Sequence, residues 1–138
     1  MFALAVFLWD REQMTIEKIL IIDDSSISRK IIKSCIPKDK EYEFFEAQDG
    51  KKGLEKFIEI RPDVTFLDLT MPVMGGVECL EKILKFSKNA IVVVVTADVQ
   101  IKSISKVTEI GAFRVIKKPP SKEGLQKVLI DIQNNPGE

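Results

Sequence analysis

The residues of this chain that could do chemistry are few, and each closes an apolar run. Asp23 and Asp24 follow Ile19–Ile22, and Asp68 follows Val64–Leu67. Thr96 follows Ala90–Val95, and Lys117 and Lys118 follow Val115 and Ile116. Three carboxylates brought together repel one another and raise their own pKa values unless a cation shares the site. A hard divalent ion relieves that repulsion, and Mg2+ suits carboxylates together with waters and a phosphate. A lysine and a hydroxyl beside such an ion are what a phosphoryl group needs for positioning and charge neutralisation. Taken singly, these residues have ordinary roles: Asp23 and Asp24 as a helix cap, Thr96 as a strand residue, the lysines as a solvated face. Their common position at the ends of apolar runs argues for one site. The chain has no histidine. That removes His-dependent triads, His-based acid–base catalysis, most zinc sites and a phosphohistidine of its own.

The acids, Thr96 and Lys118 converge only if the apolar runs are strands of one sheet. Val64–Leu67 is short, apolar and β-branched or aromatic, the pattern of a strand buried on both faces. Ile19–Ile22 and Ala90–Val95 read the same way and take central places. The mixed Tyr42–Glu46 and the short Val115–Ile116 suit the edges. Between the strands, apolar residues recur at helical spacing: Ile27, Ile31, Ile32 and Cys35 before Pro37, then Leu54, Phe57 and Ile58 before Pro62. Val77, Leu80, Ile83 and Leu84 follow Gly75-Gly76, and Ile101, Ile104 and Val107 run to Gly111. Leu125, Val128, Leu129 and Ile132 mark the last helix. Five strand–helix units with short connections mean an α/β fold whose parallel sheet is covered on both faces. In an open sheet of this kind ligands gather at the carboxyl edge, which is where the acids, the threonine and the lysine fall.

With 138 residues, 45% of them hydrophobic, the chain is expected to form one domain with a proper core. Lys+Arg and Asp+Glu both number 21, so net charge gives no reason to expect nucleic acid or an anionic membrane. Cys35 and Cys79 stand far apart within helical apolar patterns. They read as small core residues in a reducing compartment, hence a cytoplasmic location. Residues 1–13 break the pattern. Phe2–Trp9 is apolar but too short to span a bilayer. No positive charge precedes it, and Asp10, Arg11 and Glu12 follow where a signal peptide would be cleaved. Residues 1–13 are therefore read as an extension outside the fold, Met14 as an alternative start, and 14–135 as the domain.

The sequence resembles the receiver domain of two-component response regulators, the single-domain chemotaxis (CheY-like) type included. The resemblance runs from about Glu17 to Asn134. It rests on Ile21-Ile22-Asp23-Asp24-Ser25, on Asp68-Leu69-Thr70-Met71-Pro72 with Gly75-Gly76, on Val95-Thr96-Ala97, on Gly111-Ala112 and on Lys118-Pro119. It implies a doubly wound, flavodoxin-like three-layer (βα)5 sandwich with strand order 2-1-3-4-5. It implies Asp68 as phospho-acceptor, and Asp23, Asp24, Asp68 and the backbone carbonyl of Thr70 as Mg2+ ligands. Thr96 would be the hydroxyl that contacts the phosphoryl group, and Lys118 the site lysine, followed by a cis peptide to Pro119. Lys118 rather than Lys117 is assigned from the proline that follows it, and strand alternation would point Lys117 the other way.

On this resemblance the chain is a phospho-acceptor signalling domain, not an enzyme acting on a separate substrate. It would take its phosphoryl group from a sensor histidine kinase or a phosphotransfer protein. With no DNA-binding module after Glu138, a stand-alone domain would signal through a downstream protein, as a monomer or a phosphorylation-dependent dimer. Thr70 and Asp98 occupy places where the family varies and where the lifetime of the phosphoryl group is set. The sequence departs from the family at Val115, where a Tyr or Phe usually changes rotamer, and at Pro120, where an aromatic commonly stands. The expected readout is therefore the fourth helix and its preceding loop. Lys102, Lys106, Lys117, Lys122 and Lys127 on that side suit an acidic partner segment. Three other readings fit less well. An aspartate-based phosphatase needs a second acid where Thr70 stands. A phosphorylation-independent module has no use for the full set of site residues. A flavodoxin-type flavin domain needs a hydroxyl-rich loop where Asp23 and Asp24 stand.

Overall fold

A computed structural model of the protein describes residues 15–134. The extension read at 1–13 lies outside the described residues. Five strands alternate with five helices: β1 Lys18–Ile22, α1 Ser26–Cys35, β2 Glu43–Ala47, α2 Gly50–Ile60, β3 Val64–Leu67, α3 Gly76–Phe86, β4 Val92–Thr96, α4 Ile101–Ile110, β5 Arg114–Lys117 and α5 Lys122–Asn134. The strands form one parallel sheet in the order β2-β1-β3-β4-β5. This is the doubly wound, three-layer arrangement expected from the sequence, with β1, β3 and β4 in the middle.

Strand alternation divides the core into two layers. Ile19 and Ile21 of β1, Val64 and Phe66 of β3, and Val93 and Val95 of β4 face α1 and α5, meeting Ile32, Leu125, Leu129 and Ile132. Leu20, Ile22, Leu67, Val92 and Val94 face the other way, toward Phe57 of α2, Leu80 and Ile83 of α3 and Val107 of α4. Apart from half-buried Lys18 at the start of β1, every residue of the three central strands is buried. That is why they read as unbroken apolar runs. Cys35 and Cys79 are buried and unpaired, as expected, and burial pushes the Cys79 thiol up to about 12.

Strand bounds shift by one or two residues: β4 runs Val92–Thr96 rather than Ala90–Val95, and β2 runs Glu43–Ala47 rather than Tyr42–Glu46. The hydrogen-bond ladder sets these limits, and hydropathy marks them only loosely. The apolar spacing that marks the helices is also wider than the stripe they bury. Ile27 is 69% exposed and Ile101 83%, with Ile31 and Ile58 also on the surface. A helix lying on a sheet buries one narrow stripe, and in α1 that stripe is Ile32 and Cys35.

Helix ends deliver the chain to the carboxyl edge. Ser25 caps α1 by accepting the Ser28 N–H at 3.1 Å, and Asp49 caps α2 by accepting the Lys52 N–H at 2.8 Å. Helix α3 starts at Gly76, where a Cβ would run into the Asp68 carbonyl oxygen. Only glycine lets that helix begin so close to the end of β3.

Candidate functional site

The adjacent parallel strands β1 and β3 end level with each other, since Ile22 is the register partner of Leu67. Asp23 and Asp68 are the next residues on each, and the Asp68 N–H donates to the Ile22 carbonyl at 2.9 Å. Their side chains are therefore neighbours by construction. Both are buried, whereas Asp24 is exposed. Asp23, Asp24 and Asp68 each present a carboxylate oxygen within 4.8 Å of the others.

Lys118 arrives from the loop after β5. Its ammonium lies 2.8 Å from Asp23 Oδ2 and 3.4 Å from Asp68 Oδ1. The Lys118–Pro119 peptide is cis, as the resemblance implied, and Lys117 is exposed. Thr96 ends β4 almost fully buried, and its carbonyl accepts the Lys118 N–H at 2.9 Å. Its hydroxyl oxygen accepts the Asp98 N–H at 3.1 Å. Thr70 lies two residues beyond Asp68 in the loop before α3 and is exposed. The structure thus puts Lys118 in contact with Asp23 and Asp68, brings Asp24 within 4.8 Å of both acids, and ties Thr96 to Lys118 through the backbone.

The two buried carboxylates are not electrostatically alike. Burial pushes Asp68 above the usual carboxylate range; Lys118 opposes this, and the charge of Asp23 adds to it. Burial would raise Asp23 as well, but bonds from Lys118, the Ser28 hydroxyl and the Ser25 N–H bring it below its ordinary value. For Lys118, burial favours the neutral amine, yet the bonded Asp23 and the charge of Asp68 outweigh it and hold the pKa up. Three acids facing one lysine leave two negative charges uncompensated. The donors are all oxygen and one of them is open to solvent, so the set fits a hard divalent cation such as Mg2+.

Two contacts escaped the sequence. The Ser28 hydroxyl donates to Asp23 Oδ2 at 2.6 Å, and Arg29 Nη1 donates to the Asp23 carbonyl at 2.6 Å. Arg29 Nε also bonds Glu46 Oε1 at 2.7 Å, anchoring the loop after β1 to the edge strand β2. With Lys33 it draws the Glu46 carboxyl below its ordinary value. The one available signal was a hydroxyl at the third position of α1 behind a Ser cap.

Comparison with known proteins agrees with this geometry. The family model described as "Response regulator receiver domain" matches residues 19–130. The chemotaxis protein CheY of Thermotoga maritima is 34% identical over 116 residues, covering 81% of this chain and 97% of that one. A protein-glutamate methylesterase/protein-glutamine glutaminase of Koribacter versatilis is 39% identical over 104 residues. That match covers 74% of this chain but only 29% of the methylesterase. Among solved structures, the CheX–CheY–BeF3–Mg complex from Borrelia burgdorferi aligns with TM-score 0.79 at 27% identity, covering 84% of this chain and 88% of that one. The chemotaxis protein CheY4 of Vibrio cholerae aligns with TM-score 0.76 at 29% identity, covering 86% and 99%.

Proposed function

The chain belongs to the response regulator receiver domain family, and from that footing we propose that it accepts a phosphoryl group on Asp68 from a phosphohistidine donor in a Mg2+-dependent reaction. The observation that carries this reading is the placement of Asp68, buried at the end of the central strand beside Asp23 and Lys118. The donor is a sensor histidine kinase or a phosphotransfer protein. The chain has no histidine of its own to serve.

In the transfer, an Asp68 Oδ atom attacks phosphorus opposite the imidazole nitrogen. The P–O bond forms as the P–N bond breaks, and the electron pair of that bond returns to the imidazole. Asp68 must be ionised to attack, and Lys118 offsets the burial that favours its protonated form. Lys118 also offers an ammonium to the phosphoryl oxygens, and the Thr96 hydroxyl is a donor for one of them. Asp23, Asp24, Asp68 and the Thr70 carbonyl would hold the cation. Bound there, it supplies the charge neutralisation that a phosphoryl group between acidic side chains requires.

Output is a protein contact that discriminates the two forms of the domain. Lys102, Lys106, Lys117, Lys122 and Lys127 are all exposed, which suits an acidic partner segment. The test is incubation with acetyl phosphate and Mg2+, read by intact mass. One added phosphoryl group is expected, absent in EDTA and in Asp68→Asn. Stoichiometric labelling of the Asn variant would falsify the assignment.

A further inference from the structure

Asp23 is the most heavily bonded group at the site, and one of its bonds comes from a residue with no part in the transfer. Its Oδ1 accepts the Ser25 N–H at 3.0 Å. Its Oδ2 accepts both the Ser28 hydroxyl at 2.6 Å and the Lys118 ammonium at 2.8 Å. Two donors fill the two lone pairs of Oδ2, so the pair left open is on Oδ1. Ser28 reaches Asp23 because Ser25 caps α1 and sets Ser28 at the third helical position, facing back toward the strand end. Arg29, the next residue, holds the Asp23 carbonyl and leaves the carboxylate alone.

The two donors on Oδ2 respond differently to a cation. A divalent ion entering among Asp23, Asp24 and Asp68 repels the Lys118 ammonium, which also has Asp68 at 3.4 Å as a second partner. The Ser28 hydroxyl is neutral and feels no such repulsion. A carboxylate turns easily about its last torsion, which is broad and two-fold. Once Lys118 lets go, the Ser28 hydroxyl is the one side-chain donor left on Oδ2, and with the Ser25 N–H on Oδ1 it keeps the carboxylate from turning. We propose that Ser28 is a positioning residue for the cation site, fixing the Asp23 carboxylate so that the same oxygen pair faces the ion before and after it binds. The inference rests on the Mg2+-dependent acceptor reading and deepens it. Partners that orient a ligand from behind typically change metal affinity 10–100-fold when removed.

The experiment is calorimetric titration of the full chain with Mg2+ alone, for wild type, Ser28→Ala and Ser28→Thr. Alanine is a better helix former than serine, so the fold of α1 is not at risk. Ser28→Ala is expected to weaken Mg2+ binding about 10-fold. Ser28→Thr, which keeps the hydroxyl, is expected to return to within about threefold of wild type. With Mg2+ saturating, Ser28→Ala should be labelled by acetyl phosphate at the wild-type rate, because Asp68 and Lys118 are untouched. Unchanged or tighter binding in Ser28→Ala overturns the inference. So does a Thr variant no better than Ala, or a saturated rate that falls along with affinity. Labelling of the wild type by mass judges the acceptor reading separately: wild type that binds Mg2+ and is labelled while Ser28→Ala binds equally well sinks only the role of Ser28.

Discussion

Asp23 and Asp68 sit on neighbouring strands beside one lysine, yet folding pushes their carboxyl groups in opposite directions. Asp68 has a folded pKa above its unfolded value. Its ionised form is therefore a net cost that is complete above the folded pKa, fades as pH falls through it, and is gone below the unfolded one. Asp23 has a folded pKa below its unfolded value. It contributes stability above the unfolded pKa, and that contribution is lost as pH falls through the folded one. In EDTA at pH 7, Asp68→Asn is expected to raise the melting temperature and Asp23→Asn to lower it, each by roughly 1 kcal/mol, or about 4 °C. Melts repeated at falling pH should bring the three proteins together once the pH lies below the folded values of both carboxyl groups. Shifts of the same sign at pH 7 would sink the argument. These residues were legible in the sequence because each directly ends an apolar run, and the proline after Lys118 marked it out from exposed Lys117. Ser28 and Arg29 were not. Their contacts depend on the phase of a helix and on Glu46 of an edge strand, which no local pattern records.

The elements that flank the site differ in how firmly they are held. Helix α3 is pinned by Cys79, Leu80 and Ile83, all fully buried, whereas α4 buries only Val107 and leaves Ile101 83% exposed. The loop before α4 is tied to the site by a bond from the Asp98 N–H to the Thr96 hydroxyl oxygen at 3.1 Å. Asp98 in turn accepts the Gln100 N–H at 3.2 Å and the Ser103 hydroxyl at 2.7 Å, closing the start of α4. Drawing the Thr96 hydroxyl toward a phosphoryl group on Asp68 breaks the first bond and loosens that cap. Val115 on β5 is half-buried, and its short β-branched side chain has restricted χ1, so it cannot reproduce a large in–out swing. Hydrogen exchange with beryllofluoride and Mg2+ is therefore expected to change protection across residues 97–110 in wild type and much less in Thr96→Ala. Silence there with a response in β5 would mean that the signal leaves by another route. The strand–helix alternation behind this argument was readable from hydropathy. Which isoleucines of α1 and α4 face inward was not, because spacing alone does not say how wide a stripe the sheet can cover.

At the scale of the molecule, the question is where the fold begins. The core is closed by the sheet and its two helical layers, and among the described residues no helix is long and apolar enough to cross a membrane. That closure reaches back to Ile16, which is fully buried against the layer of α1 and α5. The Glu17 and Lys18 N–H groups donate to Asp63 Oδ2 at 2.8 and 2.9 Å, and the Glu17 carbonyl accepts the Glu43 N–H at 2.8 Å. The chain is thus fastened into both β2 and the start of β3 from Ile16 onward. Residues 1–13 differ in composition from everything after them, and Met14 stands just before this first fastened residue. A chain beginning at Met14 is expected to melt within about 1 kcal/mol of the full chain and to be phosphorylated at the same rate. Ile16→Ala in that shorter chain is expected to cost about 2–5 kcal/mol, the range for truncating a fully buried isoleucine. Denaturant melts of the three proteins separate the cases. If starting at Met14 costs as much as Ile16→Ala, then Phe2–Trp9 packs on the core and the domain boundary at 14 is wrong. If neither change matters, the layer that Ile16 closes contributes far less than its burial implies.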